Sequence, residues 1–352
     1  MNNQQKQHLL VIVYDSMTNS VFESQVFMPL VRMISNGLVK KITLVSFEPH
    51  ALSKNLLDRF NHPEIIFIVC KRLPLLGSWS LTLAAGQLML AVDFTTIDAI
   101  RARGPLAGLI ARRTRWWQGF FGVKKQLPLT IQARGLCAEE YRFSCQQQTL
   151  SLANKIVARW RQHLYKTVEK KAYGKGKGII IEMVSTALGA YLQEHYKTPA
   201  STMVLAEHDL VEILDREVVA AYRNEIRSLL HIPEDAYVFC YSGSCKPWQC
   251  AEETIQFFIK QQKQNSRAFL LILSQDVTPF QKLLAKYQVP NEQSCLLAVK
   301  PKNLLRYLCA ADAGILLRKP DIVNWVSRPT KLLEYQAIGL KIIHNNTIGL
   351  LL

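Results

Sequence analysis

Short apolar runs rich in β-branched residues alternate with helix-length amphipathic stretches along almost the whole chain. This alternation limits the fold more than any motif does. Runs at 9–14 (LLVIVY), 42–47, 65–70 (IIFIVC), 97–100, 127–131 and 179–181 read as strands. Between them, 22–34, 81–90, a stretch from 105 and the long basic region 141–173 read as helices. Apolar runs without polar alternation fit strands buried on both faces, so the pattern predicts parallel sheets covered by helices. The alternation pauses across the acidic, mainly helical stretch 205–235. It restarts with strands at 237–242, 269–273, 295–299, 313–317 and 340–343, and helices at 251–262, 279–287, 303–310 and 329–338. The expected organisation is a Rossmann-like lobe over 1–205, a helical linker over 206–235 and a second lobe over 236–352.

A chain of 352 residues, 49% of them hydrophobic, can build two cores and is not disordered overall. None of its eight cysteines forms a C-x-x-C pair. That argues against a zinc ribbon or a thioredoxin-like site, and for thiols serving as small core residues in a reducing, cytoplasmic compartment. The N-terminus lacks the succession of basic, apolar and small residues of a secretory signal. Residues 73–92 carry no charge over 20 positions, the length of a membrane span. Pro74, Gly77, Gly86 and Gln87 dilute that stretch, and the expectation is a buried helix.

The net charge of +16 is concentrated: residues 101–178 hold 17 basic and 3 acidic side chains, which points to a localised anionic partner. Within them, 113–125 reads RTRWWQGFFGVKK. Aromatic rings between cations suit an anionic membrane surface, where rings settle among headgroups and Lys and Arg pair with lipid. Single-stranded nucleic acid, stacking on the rings, is the disfavoured partner. A third reading packs the rings into the domain and leaves the charges solvated.

Three clusters carry candidate chemistry. The loop SGSCKPWQ (242–249) follows a strand: Gly243 lets a ligand approach the backbone, Ser244 can hold phosphate oxygens, and Lys246 supplies counter-charge. It is not a Walker A loop, and an ordinary turn is the plain alternative. In SRPTKLLEYQAIG (327–339), Ser327 and Pro329 mark a helix start, and the spacing puts Lys331 and Glu334 on one face. A carboxylate there can accept both hydroxyls of a ribose while Lys331 attracts a diphosphate; an exposed ion pair is the alternative. Third, RARGPLAG (101–108) and QARGLCAEEY (132–141) each place an arginine, then a glycine, where a strand yields to a helix. Arg103 and Arg134 can then project into one site, with Glu139 or Glu140 as carboxylate candidates, or serve only to neutralise those carboxylates.

These motifs, with YDSMTNSVFESQV (14–26) and AADAGILLRKPDIVNWVSRPTKLLEYQAIGLKII (310–343), resemble in order the retaining glycosyltransferases of family 4, in the branch with S-x-P-x-K-x-x-E-Y. The resemblance implies the GT-B fold, two Rossmann-like lobes facing a cleft, and a hexosyltransferase-like enzyme. Such an enzyme moves sugar from a nucleotide-diphosphate sugar to a glycan or lipid-linked acceptor, as in polysaccharide biosynthesis at the inner face of the plasma membrane. By the same resemblance, Gly243, Ser244, Lys246, Arg318, Ser327, Lys331 and Glu334 bind donor. Arg103, Arg134 and Lys246 act in catalysis, and Ser16, Asn19, Ser20 and Gln25 lie on the acceptor side. No metal or other cofactor is expected, since no Asp-x-Asp motif occurs. Three positions depart from the family pattern: Val326 stands where a second glutamate is common, Arg101 where histidine is, and Gln132 where aspartate is. The resemblance also implies further βα units after 349–352, so the C-terminal lobe reads as truncated. The competing expectation is a degenerate, inactive GT-B protein that binds nucleotide or membrane without turnover.

Overall fold

The computed structural model describes residues 7–19, 22–120, 126–146, 148–149, 151–206 and 211–351. The chain forms two compact units, Met1–Glu207 and His208–Leu352. In the first, seven parallel strands are β1 (Gln7–Val13), β2 (Val39–Glu48), β3 (Ile65–Lys71), β4 (Ala99–Arg103), β5 (Leu129–Ala133), β6 (Ile179–Met183) and β7 (Met203–Leu205). Their order is β3-β2-β1-β4-β5-β6-β7. Leu9 to Val13 are all buried, as expected of a strand covered on both faces. Because β1 pairs with β2 on one side and β4 on the other, the connection reverses direction between β1 and β4. In doubly wound sheets ligands bind beyond the carboxyl ends of the strands at such a point.

The second unit repeats the plan with β8 (Tyr237–Ser242), β9 (Ala268–Leu273), β10 (Ser294–Leu297), β11 (Ala313–Leu316) and β12 (Lys341–His344), ordered β10-β9-β8-β11-β12 and again all parallel. Val238 and Cys240 enter one core, Phe239 and Tyr241 the other, so helices cover both faces. The expected α/β architecture with two parallel sheets is therefore present. Here the reversal lies between β8 and β11, which pair only through Ala313 with Phe239 and Gly314 with Cys240. Beyond that the strands fork. The ring of Tyr335 fills the fork and lies where a Cβ on Gly314 would stand. Its hydroxyl accepts from the Ser242 amide at 3.1 Å and faces the carbonyls of Cys240 and Ile315 at 3.4 Å.

Several local expectations change. The stretch expected as a linker holds the helix Arg216–Leu229, which belongs to the second unit: Ile226 enters its core. Arg223 and Arg227 grip Asp312 at 2.5 and 2.8 Å, and Asp312 also accepts from the Val238 amide at 2.7 Å. The basic region 141–173 is two antiparallel helices, Cys137–Gln146 and Leu152–Tyr173, the second capped by Ser151. Between them Glu169 is fully buried, accepts from the Tyr196 hydroxyl at 2.5 Å and the Ala138 amide at 3.3 Å, and is pushed up to about 7 by that burial. The uncharged stretch 73–92 contains the helix Ser80–Ala91, which buries Leu81, Ala84, Ala85 and Leu88. Among the described residues no helix is long and apolar enough to cross a membrane.

Candidate functional site

At the β8/β11 fork the second unit brings together four groups. The helix Thr330–Ala337 begins after Pro329 and carries Lys331 in its first turn and Glu334 one turn on. Lys331 is only 7% exposed; its Nζ stands 4.0 Å from the centre of the Tyr241 ring and 3.0 Å from where a Cβ on Gly243 would lie. Gly243 has φ +130°, a backbone conformation that favours glycine. Just past β11, Arg318 is 8% exposed, its Nε has no hydrogen-bond partner, and its backbone is clasped by the Asn345 side chain at 2.7 and 3.2 Å. Among the described residues no carboxylate lies within 4 Å of either cation. Burial, and then Arg318, push the Lys331 ammonium well below its ordinary range, and burial lowers Arg318 too.

Glu334 is half-buried beside them. Burial lifts its carboxyl to about 7, against the pull of Lys331 and of the Ser242 hydroxyl. Burial disfavours the charged form of Lys331 and of Glu334 alike, and neither Lys331 nor Arg318 has a resident carboxylate within 4 Å among the described residues. Burying unpaired charge is destabilising, so the arrangement suits an anion that arrives from outside.

The loop after β8 frames this site. Tyr241 donates to the Ser244 carbonyl at 2.7 Å, Gln249 to the Ser244 hydroxyl at 3.0 Å, and the Cys245 amide to Asp276 at 2.8 Å. Thus Gly243, Ser244, Arg318, Lys331 and Glu334 converge. Lys246 stands apart: it is exposed, with its Nζ 5.3 Å from the Trp248 ring. Ser327 closes a local turn by donating to the Asn324 carbonyl at 2.9 Å. Val326 is fully buried, an environment hostile to the glutamate common there in family 4. Sequence reasoning missed Tyr241, Ser242 and Tyr335, although Tyr335 adjoins Glu334 in the motif itself. Among the described residues no cluster of His, Cys, Asp or Glu could hold a metal ion.

In the first unit, Arg103 ends β4 and is buried. It donates to the Gln25 side chain at 2.8 Å and its carbonyl at 3.2 Å, and lies 3.8 Å from Asp15. The loop after β1 is held from below. Buried Glu48 accepts from Ser16 at 2.5 Å and the Met17 amide at 2.9 Å, while Arg72 lies over the Tyr14 ring at 4.7 Å. The Asn19 amide donates to the Ser16 carbonyl at 3.0 Å; Ser20 lies outside the described residues. Arg134 follows β5 and is half-buried.

One proposed carboxylate partner of these arginines is engaged elsewhere. Glu139 pairs with Arg142 at 2.6 Å and Lys166 at 2.9 Å, which outweigh its burial and hold it below the ordinary range. Glu140 folds back against Gly135, onto the place a Cβ would occupy. The unusual Arg101 and Gln132 share one partner: Glu182 on β6 receives Gln132 at 2.7 Å and Arg101 at 3.5 Å. These two departures form a single network across β4, β5 and β6.

The segment 113–125 also differs from expectation. Arg113 donates to the Ser78 carbonyl, and Arg115 is buried, donating to the carbonyls of Lys177 and Gly178 at 2.8 and 3.1 Å. Trp117 packs over Gly86, whereas Trp116 and Phe120 stack on each other at 6.1 Å and are exposed. Residues 121–125 lie outside the described residues.

No protein-family model and no curated protein sequence matches the chain. Solved structures do. A glycosyltransferase from Rickettsia africae aligns at TM-score 0.63 with 13% identity, covering 98% of this chain and 80% of its own. WaaG, a glycosyltransferase involved in lipopolysaccharide biosynthesis, aligns at 0.62 with 14% identity over 97% and 81%. An α-glucosyltransferase in complex with UDP aligns at 0.52 with 11% identity over 96% and 80%. With its two parallel sheets and helices on both faces of each, the chain has the α/β fold of the GT-B glycosyltransferases.

Proposed function

We propose that this protein is a retaining glycosyltransferase of the family 4 type. It would move a hexose from a nucleoside-diphosphate sugar to a glycan or lipid-linked acceptor at a membrane surface. The observation that carries the reading is the pair of buried, unpaired cations Arg318 and Lys331 beside Glu334 at the reversal point of the second sheet. In this reading Glu334 accepts the ribose hydroxyls, and the amides and hydroxyl of Gly243 and Ser244 lie along the diphosphate. As the bond from the anomeric carbon to the phosphate oxygen breaks, negative charge collects on the departing diphosphate. Preorganised Arg318 and Lys331 stabilise it, with Lys246 as an exposed third cation. Side chains thus meet the leaving-group charge, and the reading calls for no resident metal or other cofactor. Ser16, Asn19, Ser20 and Gln25 are the proposed acceptor side, and Arg103 and Arg134 join Lys246 as proposed catalytic residues. A cytoplasmic location belongs to the same proposal.

Thermal unfolding tests it. A uridine or guanosine diphosphate at a hundred times its Kd is expected to stabilise the protein by about 3 kcal/mol. Glu334→Ala should abolish most of that, and Lys246→Ala should weaken binding only severalfold. An ionised carboxylate accepts hydroxyls better, so stabilisation should increase as pH rises through about 7, the value to which Glu334 is lifted, and Glu334→Gln should lose that increase. Purified protein with a panel of donors should release diphosphate. Stabilisation without turnover would instead identify an inactive nucleotide-binding protein.

A further inference from the structure

The hairpin of Cys137–Gln146 and Leu152–Tyr173 rises past the first sheet. Its helices are antiparallel, joined by Lys166 with Glu139, by the Tyr141 and Tyr165 rings 5.5 Å apart, and by Glu169 with the Ala138 amide. The second helix leads down to the start of β6. Its 22 residues span about 33 Å at 1.5 Å per residue. The five residues of β6 cover only about 17 Å, so the helix begins well beyond the carboxyl edge of the sheet.

The burial pattern agrees. From Leu152 to Arg161 every residue but Ala158 is exposed, and full burial starts at Leu164. Yet this free end is not polar. Leu152 (77% exposed), Ile156 (63%) and Trp160 (48%) recur every fourth residue on one face, widened by exposed Val157. Lys155 and Arg159 border that face on one side and Arg161 on the other, and no acidic residue occurs between 152 and 161.

We infer that this helix end docks on an anionic lipid bilayer. The apolar strip would enter the boundary between headgroups and acyl chains while the flanking cations meet lipid phosphates. Charge selects this occupant: a protein-binding helix commonly mixes both signs beside its apolar seam, whereas here the border is wholly cationic. The site differs from 113–125, where Arg113 and Arg115 are occupied by backbone carbonyls. It deepens the membrane part of the proposed function, and vesicle binding is measurable without sugar transfer.

Co-sedimentation of the full chain with phosphatidylcholine vesicles, with and without phosphatidylglycerol, provides the test. Wild type should favour the anionic vesicles, and Ile156→Ser/Trp160→Ser should bind them at least about tenfold more weakly. Lys155→Glu/Arg159→Glu should lose the preference for phosphatidylglycerol, and Trp116→Ser/Phe120→Ser should retain most binding. All the altered residues are exposed, Trp160 to about half, so melting temperatures should match wild type. Wild-type binding by the Ile156/Trp160 variant would overturn the inference, as would equal binding to neutral vesicles. So would self-association through this face without vesicle binding, which would make the occupant a second copy. Stabilisation by nucleoside diphosphate should be the same in wild type and the Ile156/Trp160 variant. If vesicles bind but no nucleotide stabilises the protein, the sugar-transfer reading fails and the lipid site stands.

Discussion

Lys331→Met should melt at or above the wild-type temperature while losing nearly all transferase activity. The two effects share one cause. Lys331 is an ammonium group withdrawn from water, beside Arg318 and without a carboxylate within 4 Å among the described residues. An apolar side chain of similar length removes that penalty, and comparable replacements of buried charge are neutral or stabilising by about 1–4 kcal/mol. Methionine would also keep a favourable sulfur contact with the Tyr241 ring. A transition state that loads charge onto a diphosphate would lose one of its two preorganised cations, a deficit of about 10²–10³ in kcat. Lys331→Arg should not rescue it, because a planar guanidinium cannot replace the compact ammonium in an enclosed place against the Tyr241 ring. Steady-state kinetics and calorimetry on the same preparation check both halves; a variant that loses stability and activity together would show the lysine to be structural.

Tyr335→Ala should be the most damaging single truncation in the second unit. Removing a fully buried aromatic side chain leaves a cavity and costs about 3–5 kcal/mol. Here the cavity would open inside the β8/β11 fork, where pairing is only two residues deep. The Ser242 amide would also lose its acceptor, an added cost of about 1–3 kcal/mol if water does not enter. Tyr335→Phe isolates that second part: it should cost less stability but still weaken nucleotide binding, since Ser242, whose amide the hydroxyl holds, leads directly into the Gly243–Ser244 loop. Denaturant unfolding of both variants distinguishes these contributions. Equal stability for Phe and wild type would show the hydroxyl to be dispensable.

Much of this fold is legible in the sequence because its strands are unbroken apolar runs, buried on both faces in central β1 and part-exposed in edge strand β3. Runs such as LLVIVY and IIFIVC can be little else in a chain that alternates with amphipathic helices. The shared face of Lys331 and Glu334 follows from helical spacing alone. Three-residue β7 escapes notice because Met203–Leu205 is too short to show a period. The break near Ser151 is hidden because no proline or glycine interrupts the sequence from Cys137 to Tyr173. The functions of Arg112, Arg113 and Arg115 were illegible for a different reason. Their partners are backbone carbonyls, such as those of Ala172 and Gly174 for Arg112, and carbonyl acceptors have no signature in side-chain composition. Likewise, Glu182 gives no sign that Arg101 and Gln132 will meet on it. That contact depends on β4, β5 and β6 being neighbours, and hence on register rather than local pattern.

The measurement that bears most directly on the proposed site compares a nucleoside diphosphate with its 2′-deoxy counterpart, titrated calorimetrically into wild type and Glu334→Gln. If Glu334 accepts the ribose hydroxyls, loss of the 2′-hydroxyl should weaken wild-type binding about tenfold, and the variant should scarcely distinguish the two ligands. An equal loss in both proteins, or no discrimination by wild type, would contradict the assignment of Glu334 to the ribose.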